Sequence, residues 1–184
     1  MKQKKRKKAI LAVTFELLNQ KRIKEITVDE IAQKAEVSKV TLFKYFQSKN
    51  QLMNLVIITA FKNMVTEIEA ILQSPLDFTS TYEAITQLKV KQIKQYSPTF
   101  SENLMLQYSE SPDFFDPDTL SIQTKIYEEL FNKGQKEGKI APNYSKDDFL
   151  FILHLFSEGM KGLPADVLLE KVTLISQFFI KGWQ

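Results

Sequence analysis

Within eight residues the chain places Ser38, Lys39, Thr41, Lys44 and Tyr45 around the apolar Val40, Leu42 and Phe43. Thr27 and Ser48 stand on either side of this stretch, and Lys49 follows at once. Hydroxyl and ammonium groups at this density suit hydrogen bonds to phosphate oxygens and base edges. The groups that catalysis or metal binding would need are scarce. The 184 residues hold no cysteine and a single histidine, His154. Disulfides and thiolate ligands are therefore excluded, and no second imidazole exists to complete a metal site. His154 lies in an apolar run and is expected to be buried, hydrogen-bonded or at an interface. No Ser-His-Asp spacing, phosphate-binding loop or glycine-rich nucleotide motif occurs. The chain reads as a binding protein and not an enzyme, with no metal and no cofactor.

These side chains need a frame to hold them. Thr27 with Glu30, and Ser48 with Gln51, are spaced as capping boxes, and Ser38 reads as another N-cap. They bound two short helices, near 28–35 and 38–45, which are too short to be stable without packing. Ala32, Ala35 and Val37 are compact enough for a close helix crossing, and Leu42 and Phe46 would close the core beneath it. Two short helices crossing after a tight turn form a helix-turn-helix, whose second helix enters a DNA major groove. On that helix Lys39, Val40 and Thr41 would meet base edges, with Lys44 one turn later. Thr27 and Ser48, at helix N-termini, suit phosphates, and Tyr45 and Lys49 would flank the groove as backbone contacts. The charge distribution agrees. Residues 1–54 carry 13 Lys or Arg against 5 Asp or Glu, and the remainder 12 against 17. A basic head on an acidic body points to a polyanion at the head.

The stretch resembles the DNA-binding domain of the TetR family of transcriptional regulators. Thr27-Val28, Ile31-Ala32, Ala35, Val37-Ser38, Thr41-Leu42, Tyr45-Phe46, Lys49 and Leu52 match its pattern in register, and the likeness covers roughly residues 5–53. Three positions depart from it. Glu36 stands where the family usually has Gly, which predicts a non-Gly residue at a positive-φ helix end, at about 1 kcal/mol or more. Val40 replaces another frequent Gly and offers an apolar surface to a thymine methyl. Phe43 replaces the usual Tyr and lacks the hydroxyl that would reach a phosphate.

Five Gly, six Pro and no regular alternation of apolar and polar residues predict helix throughout. The expected fold is all-α with about nine helices. A three-helix helix-turn-helix domain spans 1–53, and a helical ligand-binding and dimerisation domain spans 54–184. The first helix is expected from Lys2 to about Asn19. The fourth runs from Ser48 to about Gln73, joining head to body. Later helices are expected near 79–95, 99–107, 117–137, 145–161 and 164–181. The last two are apolar on more than one side. Phe149, Ile152, Leu153 and Phe156 on one, with Leu168, Val172, Ile175, Phe178 and Phe179 on the other, are expected to pair with their symmetry mates in a homodimer. The resemblance implies a small-molecule pocket among the middle helices. Phe100, Glu102, Leu104, Met105, Tyr108, Phe114, Phe115, Tyr127, Glu128 and Phe131 are its candidate lining, with ordinary core packing as the alternative for each. Glu102 or Glu128 would anchor a neutral or cationic lipophilic inducer, with the Pro112–Pro117 loop as a gate.

No apolar stretch reaches the 18 or so residues of a membrane span. The basic N-terminus is not followed by a signal-peptide cleavage site, so a cytoplasmic location is expected. The partners are then double-stranded DNA, a second copy of the chain and a small-molecule inducer, with no membrane. The reading is a DNA-binding regulator, a repressor rather than an activator. The alternative is a helical carrier or sensor of a lipophilic ligand, with the basic head on a membrane surface or docked as an adaptor.

Overall fold

The side chains of Thr27, Ser38, Ser48, Ser97, Asp116 and Ser145 each accept a hydrogen bond from the backbone N–H three residues on. These caps set where helices start in the computed structural model, which describes residues 2–183. Among the described residues there are ten helices and no strand: α1 Lys2–Gln20, α2 Val28–Lys34, α3 Lys39–Tyr45, α4 Lys49–Ala60, α5 Lys62–Leu72, α6 Phe78–Lys94, α7 Pro98–Glu110, α8 Pro117–Lys136, α9 Lys146–Met160 and α10 Ala165–Lys181. Two of the expected capping boxes are only half formed. The Glu30 carboxylate turns to Lys21 at 2.6 Å and Lys34 at 3.8 Å instead of reaching back to Thr27. The Gln51 side chain accepts from Gln47 N–H at 2.7 Å rather than from Ser48. The reciprocal box occurs at Ser145 and Asp148, opening α9.

The expected single helix from Ser48 to Gln73 is two helices, α4 and α5, interrupted at Phe61. The Tyr96 hydroxyl donates to the Ala60 carbonyl at 2.7 Å, satisfying an acceptor at the end of α4. The Phe61 ring is held against Tyr96 and Phe100, at centroid distances of 5.4 and 6.4 Å. Neither Gly nor Pro marks this break.

The chain forms two compact units, whose boundaries differ from the expected division at residue 53. The first comprises residues 1–61 and 95–114, and the second residues 62–94 and 115–184. In the first, α1 packs on α2, α3, α4 and α7. Ile10, Leu17, Leu18, Ile31, Leu42, Phe46, Leu52 and Ile57 form its core, and the compact Ala32 and Ala35 are buried where α2 meets α3, with Val37 half-buried. Helix α7 is tied in by polar groups as well as by Phe100. The buried Asn103 accepts from Ile23 N–H at 2.8 Å and donates to the carbonyls of Leu18 and Lys21 at 2.9 and 2.8 Å. That one amide holds the end of α1 and the connection to α2. In the second unit α5, α6, α8, α9 and α10 surround a core of Phe78, Leu130, Phe131, Ile140, Phe149, Phe179 and Trp183. Tyr82 of α6 stacks on Phe179 of α10 at 4.8 Å.

Candidate nucleic-acid interface and body cavity

Helix α2 ends in a Schellman arrangement: Val37 N–H reaches the Ala32 carbonyl at 2.9 Å, and Glu36 N–H the Gln33 carbonyl at 3.1 Å. Glu36 takes φ 53°, the left-handed conformation expected of it. The turn delivers the chain to Ser38, whose hydroxyl caps Thr41 N–H at 3.1 Å and pairs with the Thr41 hydroxyl at 2.9 Å. Helix α3 is thereby started, with Leu42 and Phe46 buried beneath it.

Its outer face is open. Val40 is 73% exposed and Phe43 47%, although both are apolar. Lys39 and Lys44 are exposed beside them. Lys39 pairs with Asp29 at 2.6 Å, a surface contact of little net energy that a stronger anion would displace. Thr27 and Ser48 are exposed at the starts of α2 and α4, their hydroxyls occupied with capping. Tyr45 is half-buried, and its hydroxyl donates to the Gln3 carbonyl at 3.2 Å. That bond brings the start of α1 beside the end of α3. The Lys7 ammonium lies 5.8 Å from the centre of the Phe46 ring. Lys4, Lys5, Arg6, Lys7 and Lys8 are all exposed on this first part of α1. The basic run was the available signal for them.

Lys49 has a different place from its nine companions. Its ammonium donates to the Ile23 carbonyl at 2.7 Å, and burial lowers its pKa. It braces α4 against the α1–α2 connection rather than reaching outward.

The candidate ligand residues do not form one lining. Phe100, Glu102, Leu104, Met105, Tyr108 and Phe114 belong to the first unit, and Phe115, Tyr127, Glu128 and Phe131 to the second. Phe100 is fully buried against Phe15, Phe61 and Tyr96. Glu102 lies exposed near Arg22 at 3.8 Å, and Glu128 pairs with Lys146 at 3.5 Å. The second unit instead holds a cavity of about 120 Å³ between α6, α8, α9 and α10, lined by Tyr82, Ile85, Thr86, Lys89, Ile126, Tyr127, Leu130, Leu153, Phe156, Ser157, Met160, Ile175 and Phe179. Of the ten candidates only Tyr127 reaches it.

The dimerisation candidates are also divided. Phe149 and Phe179 are 0% and 3% exposed in the chain's own core, so neither has surface left for a partner. Ile152, Leu153, Phe156, Leu168, Val172 and Ile175 are half-buried, and Phe178 is 68% exposed. Phe151, Leu155 and Leu174, which were not among the candidates, are exposed at 61%, 55% and 64%. His154 lies exposed, one helical turn from Phe151 on α9. Among the described residues no group of three or more His, Cys, Asp or Glu is placed to hold a metal, and no helix is long and apolar enough to cross a membrane.

Residues 10–56 match the sequence profile of the bacterial regulatory proteins of the tetR family. This head is a TetR-family DNA-binding domain. Over 42 residues the chain is 45% identical to the helix-turn-helix-type transcriptional regulator YdeS of Bacillus subtilis. That alignment covers 23% of this chain and spans about a fifth, 21%, of the relative. The TetR-like fold extends over the whole chain. The fatty acid degradation regulator FadR from Bacillus halodurans superposes with a TM-score of 0.65 at 14% identity, covering 96% of this chain and 99% of that one. FadR from Bacillus subtilis, in complex with stearoyl-CoA, gives 0.66 at 12%, covering 96% and 98%. The regulatory protein TetR from Rhodobacter sphaeroides gives 0.66 at 19%, also covering 96% and 98%.

Proposed function

We propose that this chain is a cytoplasmic TetR-family transcriptional repressor that binds a near-palindromic operator as a homodimer and is released by a small molecule. The carrying observation is the outer face of α3. Val40 and Phe43 are exposed apolar side chains between Lys39, Thr41 and Lys44, on a helix whose other side is fully packed. Ammonium and hydroxyl groups read base edges, and an apolar side chain between them reads thymine methyls. The exposed lysines at the start of α1 supply phosphate contacts next to that helix. Thr27 and Ser48 remain the candidates for phosphates at helix starts.

The dimer is supported by Phe151, Leu155, Leu174 and Phe178, a set of large apolar side chains on α9 and α10 that water would otherwise cover. A release mechanism is supported by the cavity in the second unit and by the stearoyl-CoA complex of the FadR neighbour. A membrane-surface role for the head is disfavoured because the apolar residues of α1, including Ile10, Leu17 and Leu18, are already buried in the head's own core. The test is a selection of binding sites from random duplexes with the full chain. An enriched near-palindrome is expected; a basic protein that retains all sequences equally would sink the regulator reading.

A further inference from the structure

Helices α6, α8, α9 and α10 enclose about 120 Å³. An apolar cavity of about 150 Å³ holds a benzene molecule, so this space suits one ring or a short aliphatic chain. Ile126, Leu130, Leu153 and Ile175 make most of its wall apolar. Its lining contains one cation, Lys89, and no carboxylate. The Lys89 ammonium lies 5.8 Å from the centre of the Tyr127 ring. Its charge, together with hydrogen bonds from Gln123 and Lys89 itself, holds the Tyr127 phenol below its usual range. Gln123 donates to that hydroxyl at 3.2 Å. Lys89 is half-buried and makes no carboxylate ion pair among the described residues. A half-buried lysine facing aliphatic carbon and a phenol, in a lining without a carboxylate, lacks its counter-charge there.

We propose that this cavity binds a small amphiphile with one anionic head, seated on Lys89 and Tyr127, and a short apolar body directed among α8, α9 and α10. The proposal rests on the reading of the second unit as the receptor of a regulator, and it replaces the neutral or cationic ligand that the carboxylate candidates suggested. A neutral ligand of equal length would leave the ammonium unpaired, and an amine would be repelled by it. The anion gains a charge-assisted hydrogen bond that the others cannot make.

The test uses three probes of one chain length, butanoate, butanol and butylamine, with the purified full chain and no DNA. Binding is read by titration calorimetry and by thermal shift. Butanoate is expected to bind about tenfold or more tighter than butanol, and butylamine weakest. Lys89→Met should remove the preference for butanoate while leaving butanol binding in place, and Lys89→Arg should retain it. Retained butanol binding also shows that the Met variant is folded. Equal affinity for butanoate and butanol, no binding of any probe, or a butanoate preference that survives Lys89→Met would each overturn the proposal. Operator release is measured separately. A chain that binds butanoate and still holds its operator keeps this site and refutes only the release reading.

Discussion

The ammonium of Lys49 reaches the Ile23 carbonyl at 2.7 Å, whereas that of Lys44, five positions earlier, lies on the exposed side of α3. Two lysines that the sequence reading both turned toward DNA, one to a base and one to the backbone, therefore differ in what their removal does to the fold. Lys44→Ala should leave thermal stability unchanged and weaken specific DNA binding by about 1–3 kcal/mol, with discrimination relaxed at one base position. Lys49→Ala should lower stability by about 1 kcal/mol, because a hydrogen bond between helix and connection is lost. Its effect on DNA should appear only as far as α4 loosens. Thermal melts alongside binding titrations of both variants separate these outcomes. An unchanged melt for Lys49→Ala, with weaker binding to every sequence, would restore it as a phosphate contact. The outward face of α3 was legible because α3 is short and carries one buried stripe, Leu42 and Phe46, so everything else must face out. The inward turn of Lys49 was not, since its acceptor is a backbone carbonyl 26 residues away.

The end of α2 shows a helix signal that composition hides. Glu36 holds φ 53° at the position where the Schellman hydrogen bonds require a left-handed residue. Side-chain sterics cost roughly 1–2 kcal/mol there. Glycine would lose more chain entropy on folding, by roughly 0.4–1 kcal/mol. Glu36→Gly should therefore stabilise the protein by up to about 1 kcal/mol, seen as a higher denaturant midpoint with an unchanged slope. A lower midpoint would mean that the Glu36 side chain makes a compensating contact. The starts of α2, α3 and α4 were legible, since the Thr27, Ser38 and Ser48 caps act through neighbours three residues away. The break at Phe61 was not, because its cause is the hydroxyl of Tyr96 and two aromatic rings from a distant segment. Nor was the facing of α9 and α10. When a helix is apolar on several sides, its periodicity cannot say which phenylalanine is core. Phe149 and Phe151 are two residues apart and have opposite fates.

At the scale of the molecule, the proposed dimer rests on the exposed apolar set on α9 and α10. Leu174 and Phe178 make little of the chain's own core, being 64% and 68% exposed, so charging them should spare the fold. Leu174→Lys and Phe178→Lys together are expected to yield a folded monomer in sedimentation, with operator affinity reduced because one half-site offers few contacts. A double variant that remains dimeric would place the interface elsewhere. A basic head and an acidic body were legible from the charge distribution. The membership of α7 in the first unit was not, because it depends on Asn103, whose partner Ile23 lies 80 residues earlier. That separation also sets a timetable for synthesis. At about 5–20 residues per second, a ribosome that has passed Ile23 needs roughly 4–16 s more to reach Asn103. Until then the Ile23 amide and the carbonyls of Leu18 and Lys21 have only water for partners, and the newborn head lacks one of its walls. A gene fusion that ends the chain after residue 61 would make that interval permanent.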